Sequence, residues 1–299
     1  MLPLSIQPIP YQGSKRALAP RICGLFPPQV KTLYEPFAGS AAITLYAAKN
    51  NLAEDFVIGD AFGELIDLWD LIINSPEQLA QRYDVIWQDQ FRQEGHFNIV
   101  RARFNEHRDP VDLLYIIARC VKNAVRFNAS GKFTQSADKR RTGMKPDRLW
   151  RTAQESSSLL KGRTKLYRGS FQTCLNAATR DDLAYLDPPY QGTTYGKDKR
   201  YAEQLERQAL VDALEGLNAR AVPFVLSYDG LSGSRTYGEP LPDRIDAKRI
   251  SLNAGRSSQA TLAGRDDVTF ESVYYSRSLA PEANDLGRQF SFFEQAILD

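Results

Sequence analysis

The segment VKTLYEPFAGSAAI, residues 30–43, indicates the fold because it joins a strand directly to a helix. Residues 30–34 are an apolar run of strand length, and residues 41–50 continue as a helix. Between the two, Gly39 permits a tight turn, and its small neighbours let a ligand approach the backbone closely. This arrangement is typical of the nucleotide-binding turn at the head of a parallel sheet, although the spacing is not GxGxxG.

A second strand and an acidic residue follow at the spacing that such a fold requires. FVIG, residues 56–59, is an apolar run that ends at Asp60, 21 residues beyond Gly39. In dinucleotide-type folds, an acidic residue about 20 positions after the glycine turn binds ribose hydroxyls. The glycine turn and Asp60 together therefore favour a cofactor that contains adenosine.

Strands alternate with helices over most of the remaining chain. This alternation predicts an α/β fold with a doubly wound, mostly parallel, Rossmann-like sheet. The last two runs alternate in polarity, and we expect them to pair as antiparallel edge strands. The further predicted strands are residues 165–171, 183–186, 223–228, 246–253 and 268–276.

A helical and basic stretch interrupts the alternation and divides the chain. Apolar residues recur at helical spacing from about 75 to 128, and residues 138–151 lack periodicity and are predicted to form an exposed loop. We therefore expect a discontinuous sheet domain, residues 1–74 and 164–299. Residues 75–163 are expected to form an inserted, mainly helical lobe that recognises the target.

The composition excludes several classes of protein. With 42% hydrophobic and 25% charged residues, the 299-residue chain is an ordinary globular protein. We expect no signal peptide, and no apolar run approaches the ~18 residues of a membrane span. Three scattered cysteines without a CxxC pair fit a reducing cytoplasm, and with only two histidines we expect no metal site.

Basic residues are concentrated in one segment. Between Cys120 and Arg168 there are 13 Lys or Arg against 3 Asp or Glu, a net charge of +10, whereas the rest of the chain carries −8. Such segregation favours a polyanionic partner, and nucleic acid in particular. A solvated charged loop is the alternative interpretation.

The segment LAYLDPPY, residues 183–190, places rigid hydrogen-bond acceptors at the end of an apolar strand. Pro188 and Pro189 have no N–H groups and fix φ, and Asp187 before a proline becomes extended. The Asp187 carboxylate and the Pro188 carbonyl can grip the amino group of adenine, while Tyr190 can stack on the base. S-adenosylmethionine would supply an activated methyl group to that nitrogen without a metal. A strand terminator with a packed tyrosine is the alternative.

Seven blocks of the chain, read in order, resemble the Dam-like, alpha-class DNA adenine-N6 methyltransferases. They are PYQGSKRALAPRI, LYEPFAGSAAI, VIGDAFGELIDLWDLI, KNAVRFNASGKF, LYRGSF, LAYLDPPY and VPFVLSYDG. The resemblance covers nearly the whole chain. It implies a methyltransferase sheet domain that uses S-adenosylmethionine and methylates N6 of an adenine flipped out of duplex DNA.

The resemblance also implies the site residues. Ser14 stands where the family has a glycine, and Ser170 stands where it usually has an aspartate. The implied catalytic residues are Asp187, Pro188, Pro189 and Tyr190. The implied cofactor-binding residues are Tyr11, Gln12, Gly13, Ser14, Lys15, Glu35, Pro36, Phe37, Ala38, Gly39, Ser40, Asp60, Ala61, Ser170, Phe171 and Asp187.

Residues 123–133, NAVRFNASGKF, resemble the family block that adjoins DNA, with Ala124 in place of a glycine. The basic run after it could follow the phosphate backbone, and residues 253–267 could form a loop that touches DNA or a disordered connector. The candidate DNA-binding residues are Arg126, Asn128, Lys132, Lys139, Arg140, Arg141, Lys145 and Arg256, with Arg265 in the last loop.

Three other functions stay open at this point. The enzyme could methylate adenine N6 in RNA or the N4 amine of cytosine in DNA, or the chain could be a non-catalytic DNA-binding protein with the same fold. For the leading function we expect duplex DNA as substrate, no membrane and no metal. The enzyme would be either solitary or the partner of a restriction endonuclease or phage-defence system.

Overall fold

The computed structural model describes residues 6–189, 207–232, 235–237, 240–256 and 268–279, and all structural statements concern these residues. Eight strands within these ranges form one sheet. They are β1 (Thr32–Glu35), β2 (Asp55–Asp60), β3 (Thr164–Arg168), β4 (Leu183–Leu186), β5 (Phe224–Ser232), β6 (Arg235–Tyr237), β7 (Ala247–Arg256) and β8 (Val268–Ser276).

The sheet is mostly parallel, which confirms the predicted α/β class. Its strand order is β3-β2-β1-β4-β5-β8-β7, and the short β6 pairs with β5 outside this path. Strands β1 to β5 run parallel to their neighbours along the path, whereas β8 is antiparallel to both β5 and β7. The antiparallel pairing expected for residues 246–253 and 268–276 is thus confirmed, with β7 at the edge.

Helices cover both faces of the sheet, as a doubly wound fold requires. The central strand β4 is buried on both sides, so that its Leu183 and Tyr185 belong to one apolar core and its Ala184 and Leu186 to the other. The helices are α1 (Ala19–Cys23), α2 (Ala42–Lys49), α3 (Gly63–Asn74), α4 (Pro76–Asp89), α5 (His96–His107), α6 (Pro110–Arg119), α7 (Pro146–Leu160), α8 (Phe171–Leu175) and α9 (Arg207–Ala219). None of them is long and apolar enough to cross a bilayer.

The helices of the predicted insertion pack directly onto the sheet domain. Tyr83 of α4, Ile116 of α6 and Leu149 of α7 are fully buried in the core that also contains Leu33 of β1 and Trp69 of α3. Helix α6 begins at a sharp cap, because the Asp109 carboxylate accepts hydrogen bonds from the N–H groups of its first turn. The division at residues 75 and 163 stays a prediction.

The loop predicted for residues 138–151 is wrong in its second half, because α7 begins at Pro146. Proline at the first helical position and Asp147 in the first turn are favourable helix-start residues. The buried face of α7 carries Leu149 and Leu160 together with small polar residues such as Ser156. Since serines interrupt the apolar face, the helical period is not visible as hydrophobicity.

The three cysteines are buried, free and distributed over the fold. Cys23 lies in α1, Cys120 follows α6, and Cys174 lies in α8. Burial raises the pKa of each thiol above its ordinary value.

Helix α7 offers a test of this packing with two adjacent residues. Leu149 is fully buried, whereas the neighbouring Trp150 is 41% exposed. We expect Leu149→Ala to lower the free energy of unfolding by about 2–4 kcal/mol, because it leaves a cavity between helices. Trp150→Ala should lower it by less than about 1 kcal/mol, as measured by urea denaturation. Equal losses would contradict the packing of α7.

Candidate active site

The strand order reverses between β1 and β4, and this reversal creates a crevice at the carboxyl ends of these two strands. These two strands are parallel neighbours, while the chain continues through β2 and β3 on one side and β5 on the other. Glu35 ends β1 and Asp187 follows β4, so both acids lie at the carboxyl ends of their strands. In open α/β sheets, ligands bind at this position.

The turn after β1 has a strained backbone that is tied to the next strand. Gly39 has φ +48° and Ala41 has φ +43°, which is unusual for a residue with a side chain. The turn is closed by a 2.6 Å hydrogen bond from the Ala41 N–H to the Ala38 carbonyl, and the Ala38 N–H donates to the Gly59 carbonyl of β2. A Cβ on Gly39 would lie in ordinary contact with the Tyr11 ring, at 3.4 Å, so the positive φ is the constraint that favours glycine here.

Asp60 supports this turn from the end of β2. Its Oδ2 accepts a hydrogen bond from the Gly39 N–H at 3.2 Å, and its Oδ1 accepts one from the Phe62 N–H at 2.9 Å. Burial raises the pKa of Asp60 to about 6, although these N–H groups favour the charged form. The structure thus places Asp60 beside the glycine turn, and its role in binding ribose stays a prediction.

Glu35 is buried beneath the start of α2. Its Oε2 accepts a 2.8 Å hydrogen bond from the Thr44 N–H in the first turn of that helix. Burial raises the pKa of Glu35 to about 7, the hydrogen bonds from Thr44 oppose this shift, and the nearby Asp187 adds to it. A carboxylate is stabilised at this place because it lies at the N-terminus of α2.

Asp187 shares the ammonium group of Lys15 with a second acid that the sequence analysis did not identify, Glu271. Lys15 Nζ lies 3.1 Å from Asp187 Oδ1 and also contacts Glu271 Oε1. Burial raises the pKa of Asp187 to about 7, with Lys15 lowering it and Glu271 raising it further. Glu271 could have been identified from the alternation along β8, because it lies on the same face of that strand as the buried Val273 and Tyr275.

The two prolines after Asp187 leave the strand without backbone donors. Pro188 is buried and Pro189 is partly buried, directly after β4. Asp187 and Pro188 are neighbours in the chain, and the two prolines restrict the backbone of this segment. Tyr190, the predicted stacking residue, lies outside the described residues.

The N-terminal block lies against the glycine turn. The Ser40 hydroxyl donates a 2.8 Å hydrogen bond to Ser14 Oγ. The Gln12 N–H donates to the Asn123 carbonyl, so the same block also contacts the segment that resembles the DNA-facing block. The structure therefore brings the predicted residues Tyr11 and Ser14 against Gly39 and Ser40. Gln12, Gly13 and Lys15 belong to the same N-terminal block, and Pro36 and Ala38 to the same turn.

Aromatic rings line the side of the crevice towards β2 and α8. Phe37 follows β1, and its ring centroid lies 4.9 Å from that of Phe171 at an angle of 31°. Ser170 is exposed and caps α8, because its hydroxyl accepts a hydrogen bond from the Thr173 N–H. Ala61 is exposed beside Asp60. Phe171 is buried and Phe37 is partly buried, so Phe37 is the ring of this pair that a flat heterocyclic base could contact.

Residues 127–133 form a tight hairpin beside the turn. Phe127 pairs with Phe133 across it, and the Phe127 ring packs edge-on against Phe62, which follows Asp60. The Asn128 Oδ1 accepts hydrogen bonds from the Ser130 and Lys132 N–H groups, so this oxygen stabilises the hairpin itself. The hairpin carries the exposed Lys132 side chain, with Arg126 partly buried at its base.

A buried acid organises the basic run that follows. Asp138 Oδ1 accepts from the Arg140 N–H at 2.9 Å, and its Oδ2 accepts from Arg141 Nε at 2.8 Å. These hydrogen bonds hold the pKa of Asp138 below its usual value. Lys139, Arg140 and Arg141 are exposed, as is Lys145 at the start of α7.

Arg256 lies apart from that run, at the end of β7 opposite Val268. Arg265 lies outside the described residues. Among the side chains that the structure describes, no group of three or more His, Cys, Asp or Glu could hold a metal ion.

The buried acids of the crevice make stability depend on pH. A raised pKa means that the folded protein binds a proton more tightly than the unfolded chain does. Folding is therefore favoured in acid, and the free energy of unfolding falls as pH rises from 4.5 to about 7 for Glu35. We expect Glu35→Gln, which retains an acceptor for Thr44, to flatten this fall by up to about 1 kcal/mol per pH unit. Denaturation at pH 5, 6 and 7 measures it, with the exposed Glu54→Gln as control; parallel slopes in all three proteins would contradict it.

Comparison with known proteins agrees with this geometry. The Retron Ec67 DNA adenine methylase of Escherichia coli is 26% identical over 259 residues, which cover 84% of this chain and 87% of that protein. The DNA N-6-adenine-methyltransferase of Escherichia phage P1 is 26% identical over 70% of this chain and 28% of its own length. Type II methyltransferase M.FokI of Planomicrobium okeanokoites is 23% identical over 74% of this chain and 35% of its own length.

A family model covers most of the sequence and confirms the resemblance to adenine methyltransferases. The model is described as D12 class N6 adenine-specific DNA methyltransferase, and it matches residues 11–257. The match begins at the N-terminal block and includes the glycine turn, the hairpin and the Asp187 segment. The chain therefore belongs to the D12 class of N6 adenine-specific DNA methyltransferases, a family of enzymes.

Proposed function

We propose that this enzyme transfers a methyl group from S-adenosylmethionine to N6 of an adenine flipped out of duplex DNA. One observation carries the proposal: Asp187 and Pro188 directly follow β4 at the reversal of strand order, and β4 is the parallel neighbour of β1, which leads into the glycine turn. An enzyme that acts on a base in a duplex must take the base out of the stack, because the reacting atom is otherwise inaccessible.

The residues of the crevice fit S-adenosylmethionine. Bound there, S-adenosylmethionine would supply a methyl group made electrophilic by a positively charged sulfur. In this proposal Glu35 would face the cationic part and Asp60 would bind the ribose hydroxyls, as the acid after the second strand does in dinucleotide-type folds. The partly buried Phe37, which stacks against the buried Phe171, would contact the base. Gly39 has no side chain, and its backbone packs against the Tyr11 ring, which lies 3.4 Å from the place that a Cβ would occupy.

Asp187 and Pro188 would act on the substrate. The adenine amine is a poor nucleophile because its lone pair is delocalised into the ring. Hydrogen bonds from its two N–H groups to the Asp187 carboxylate and the Pro188 carbonyl would localise that lone pair and direct it at the methyl carbon. Both acceptors are fixed before the substrate arrives, which reduces the entropy cost of orientation.

DNA is the substrate class that the family supports, and duplex DNA is the form proposed. The hairpin at residues 127–133 adjoins the glycine turn, so Arg126 and Lys132 would contact DNA near the flipped base. Lys139, Arg140, Arg141 and Lys145 would contact phosphates. Some relatives are named as modification methylases, and a partner restriction endonuclease or defence system is proposed on that similarity alone. Three free cysteines support a cytoplasmic location.

The direct test is to identify the methylated base. The protein is incubated with radiolabelled S-adenosylmethionine and, separately, duplex DNA, single-stranded DNA and RNA, and the labelled nucleoside is then isolated. We expect the labelled nucleoside from the duplex to be N6-methyl-2′-deoxyadenosine. Label on cytosine, label confined to RNA, or DNA binding without transfer would each replace the proposal by one of the alternatives.

In the same assay, Asp187→Ala should lower transfer by at least about two orders of magnitude while DNA binding persists, because one acceptor is lost. The exposed Asp181→Ala is the matched control.

The basic run predicts the salt dependence of DNA binding. Changing Lys139, Arg140 and Arg141 to Gln should weaken binding and reduce the slope of log K against log salt by about 2–3 units, because fewer counterions are released. A filter-binding titration at several salt concentrations measures the slope.

The control triple variant changes Lys31, Lys161 and Arg180. These residues are exposed and precede β1, β3 and β4, at the amino ends of the strands. This variant should leave the slope unchanged. Equal slopes for the two triple variants would place the basic run away from DNA.

A further inference from the structure

Lys15 links two strands that are not neighbours in the sheet. Its ammonium group contacts Asp187, which follows β4, and Glu271, which lies in β8, with β5 between these strands. The side chains of Lys15 and Glu271 are each 10% exposed, and that of Asp187 is 19% exposed. These three residues, the Lys15 cluster, are therefore an ion triad largely withdrawn from water.

The Lys15 cluster carries a net charge of −1 when all three groups are ionised, because one ammonium group faces two carboxylates. A lysine ammonium has three donors and a flexible stem, so its position depends on the acceptors around it. Glu271 takes up part of the positive charge that would otherwise be directed wholly at Asp187. The low local dielectric makes this residual negative charge effective at the sheet edge.

The charge matters because of the chemistry proposed for Asp187. When an amine attacks a methyl group, the new N–C bond forms and the old bond to the methyl carbon breaks, with its electron pair remaining on the leaving atom. The nitrogen then carries a positive charge and must lose one proton. A carboxylate that is already hydrogen-bonded to that amine can accept the proton. A net negative charge around the amine stabilises the positively charged nitrogen and favours transfer of its proton to the carboxylate.

We propose that Glu271 is a positioning residue for methyl transfer, acting on Asp187 through Lys15. Glu271 holds the ammonium group beside Asp187 and keeps the Lys15 cluster negative, so that Asp187 can bind the amine and accept its proton. This inference rests on the proposed function. It adds a role for β8, an antiparallel strand beyond the crevice.

Other titratable groups face Asp187 from the elements that the structure describes around it. Glu35 lies at the end of β1, and the charge of Asp187 raises its pKa. Tyr185 of β4 bonds Ser227 Oγ at 2.9 Å, and burial keeps its pKa well above the ordinary value, so it is neutral. Both groups remain when Glu271 or Lys15 is changed, and so a difference between these variants reports on the Lys15 cluster.

Two isosteric or near-isosteric variants should shift the pH profile in opposite directions. Glu271→Gln removes a negative charge, so Asp187 ionises more readily and the acid limb of kcat moves down by about one pH unit. At pH 8, kcat should fall about tenfold, with KM for DNA changed less than twofold. Lys15→Gln removes the positive charge and should move the acid limb to higher pH. Both are measured from pH 5 to 9 with duplex DNA and S-adenosylmethionine.

A buried acid outside the cluster provides the matched control. Asp229 of β5 is also withdrawn from water, and it accepts hydrogen bonds from Arg249 Nη2 at 3.0 Å and the Tyr274 hydroxyl at 2.6 Å. Asp229→Asn should leave the acid limb in place. A shift equal to that of Glu271→Gln, or shifts of the same sign in the Glu271 and Lys15 variants, would reduce Glu271 to a structural residue and overturn the inference.

A measurement without substrate separates this inference from the proposed function. The Asp187 carboxyl carbon is titrated by ¹³C NMR in the protein alone, with its signal assigned from Asp187→Asn. We expect its midpoint to move to lower pH in Glu271→Gln. An unmoved midpoint rejects the inference even where the wild-type enzyme transfers methyl groups normally. A wild-type protein that transfers none rejects the proposed function instead.

Discussion

The site depends on one constraint, which is that acidic side chains are withdrawn from water at the carboxyl ends of the parallel strands. Glu35, Asp60 and Asp187 end three parallel strands, and a buried carboxylate without partners costs several kcal/mol. Each is therefore stabilised by a different neighbour: the start of α2, the glycine turn or Lys15. The reversal of strand order brings these neighbours together, so the turn, the helix start and the N-terminal block depend on one another.

Local features of this site could be predicted from the sequence. An apolar run ended by Asp60, by Asp187 or by the turn at Gly39 is visible within ten residues, because strand length and turn chemistry are local properties. The parallel sheet follows from the alternation of such runs with helices. The antiparallel edge formed by β7 and β8 was equally predictable, since each strand alternates in polarity along its own length.

Features that depend on contacts between distant segments could not be predicted in this way. Glu271 is an ordinary glutamate in the sequence, and only the order β4-β5-β8 shows that it meets Lys15 across another strand. Helix α7 was missed because Ser156 and Ser157 occupy its buried face, and Ser157 there donates a hydrogen bond to the Ile73 carbonyl of α3. A polar residue whose partner lies 84 positions away has no local signature.

The buried thiols can report local unfolding of the native protein. A protonated, enclosed thiol reacts slowly with alkylating reagents, since the thiolate is the nucleophile. Cys23, Cys120 and Cys174 belong to separate parts of the fold, so the alkylation rate of each residue measures how often that part becomes accessible to solvent. Mass spectrometry of the labelled peptides would then resolve, without any engineered probe, whether α1, the end of α6 and α8 unfold together or independently.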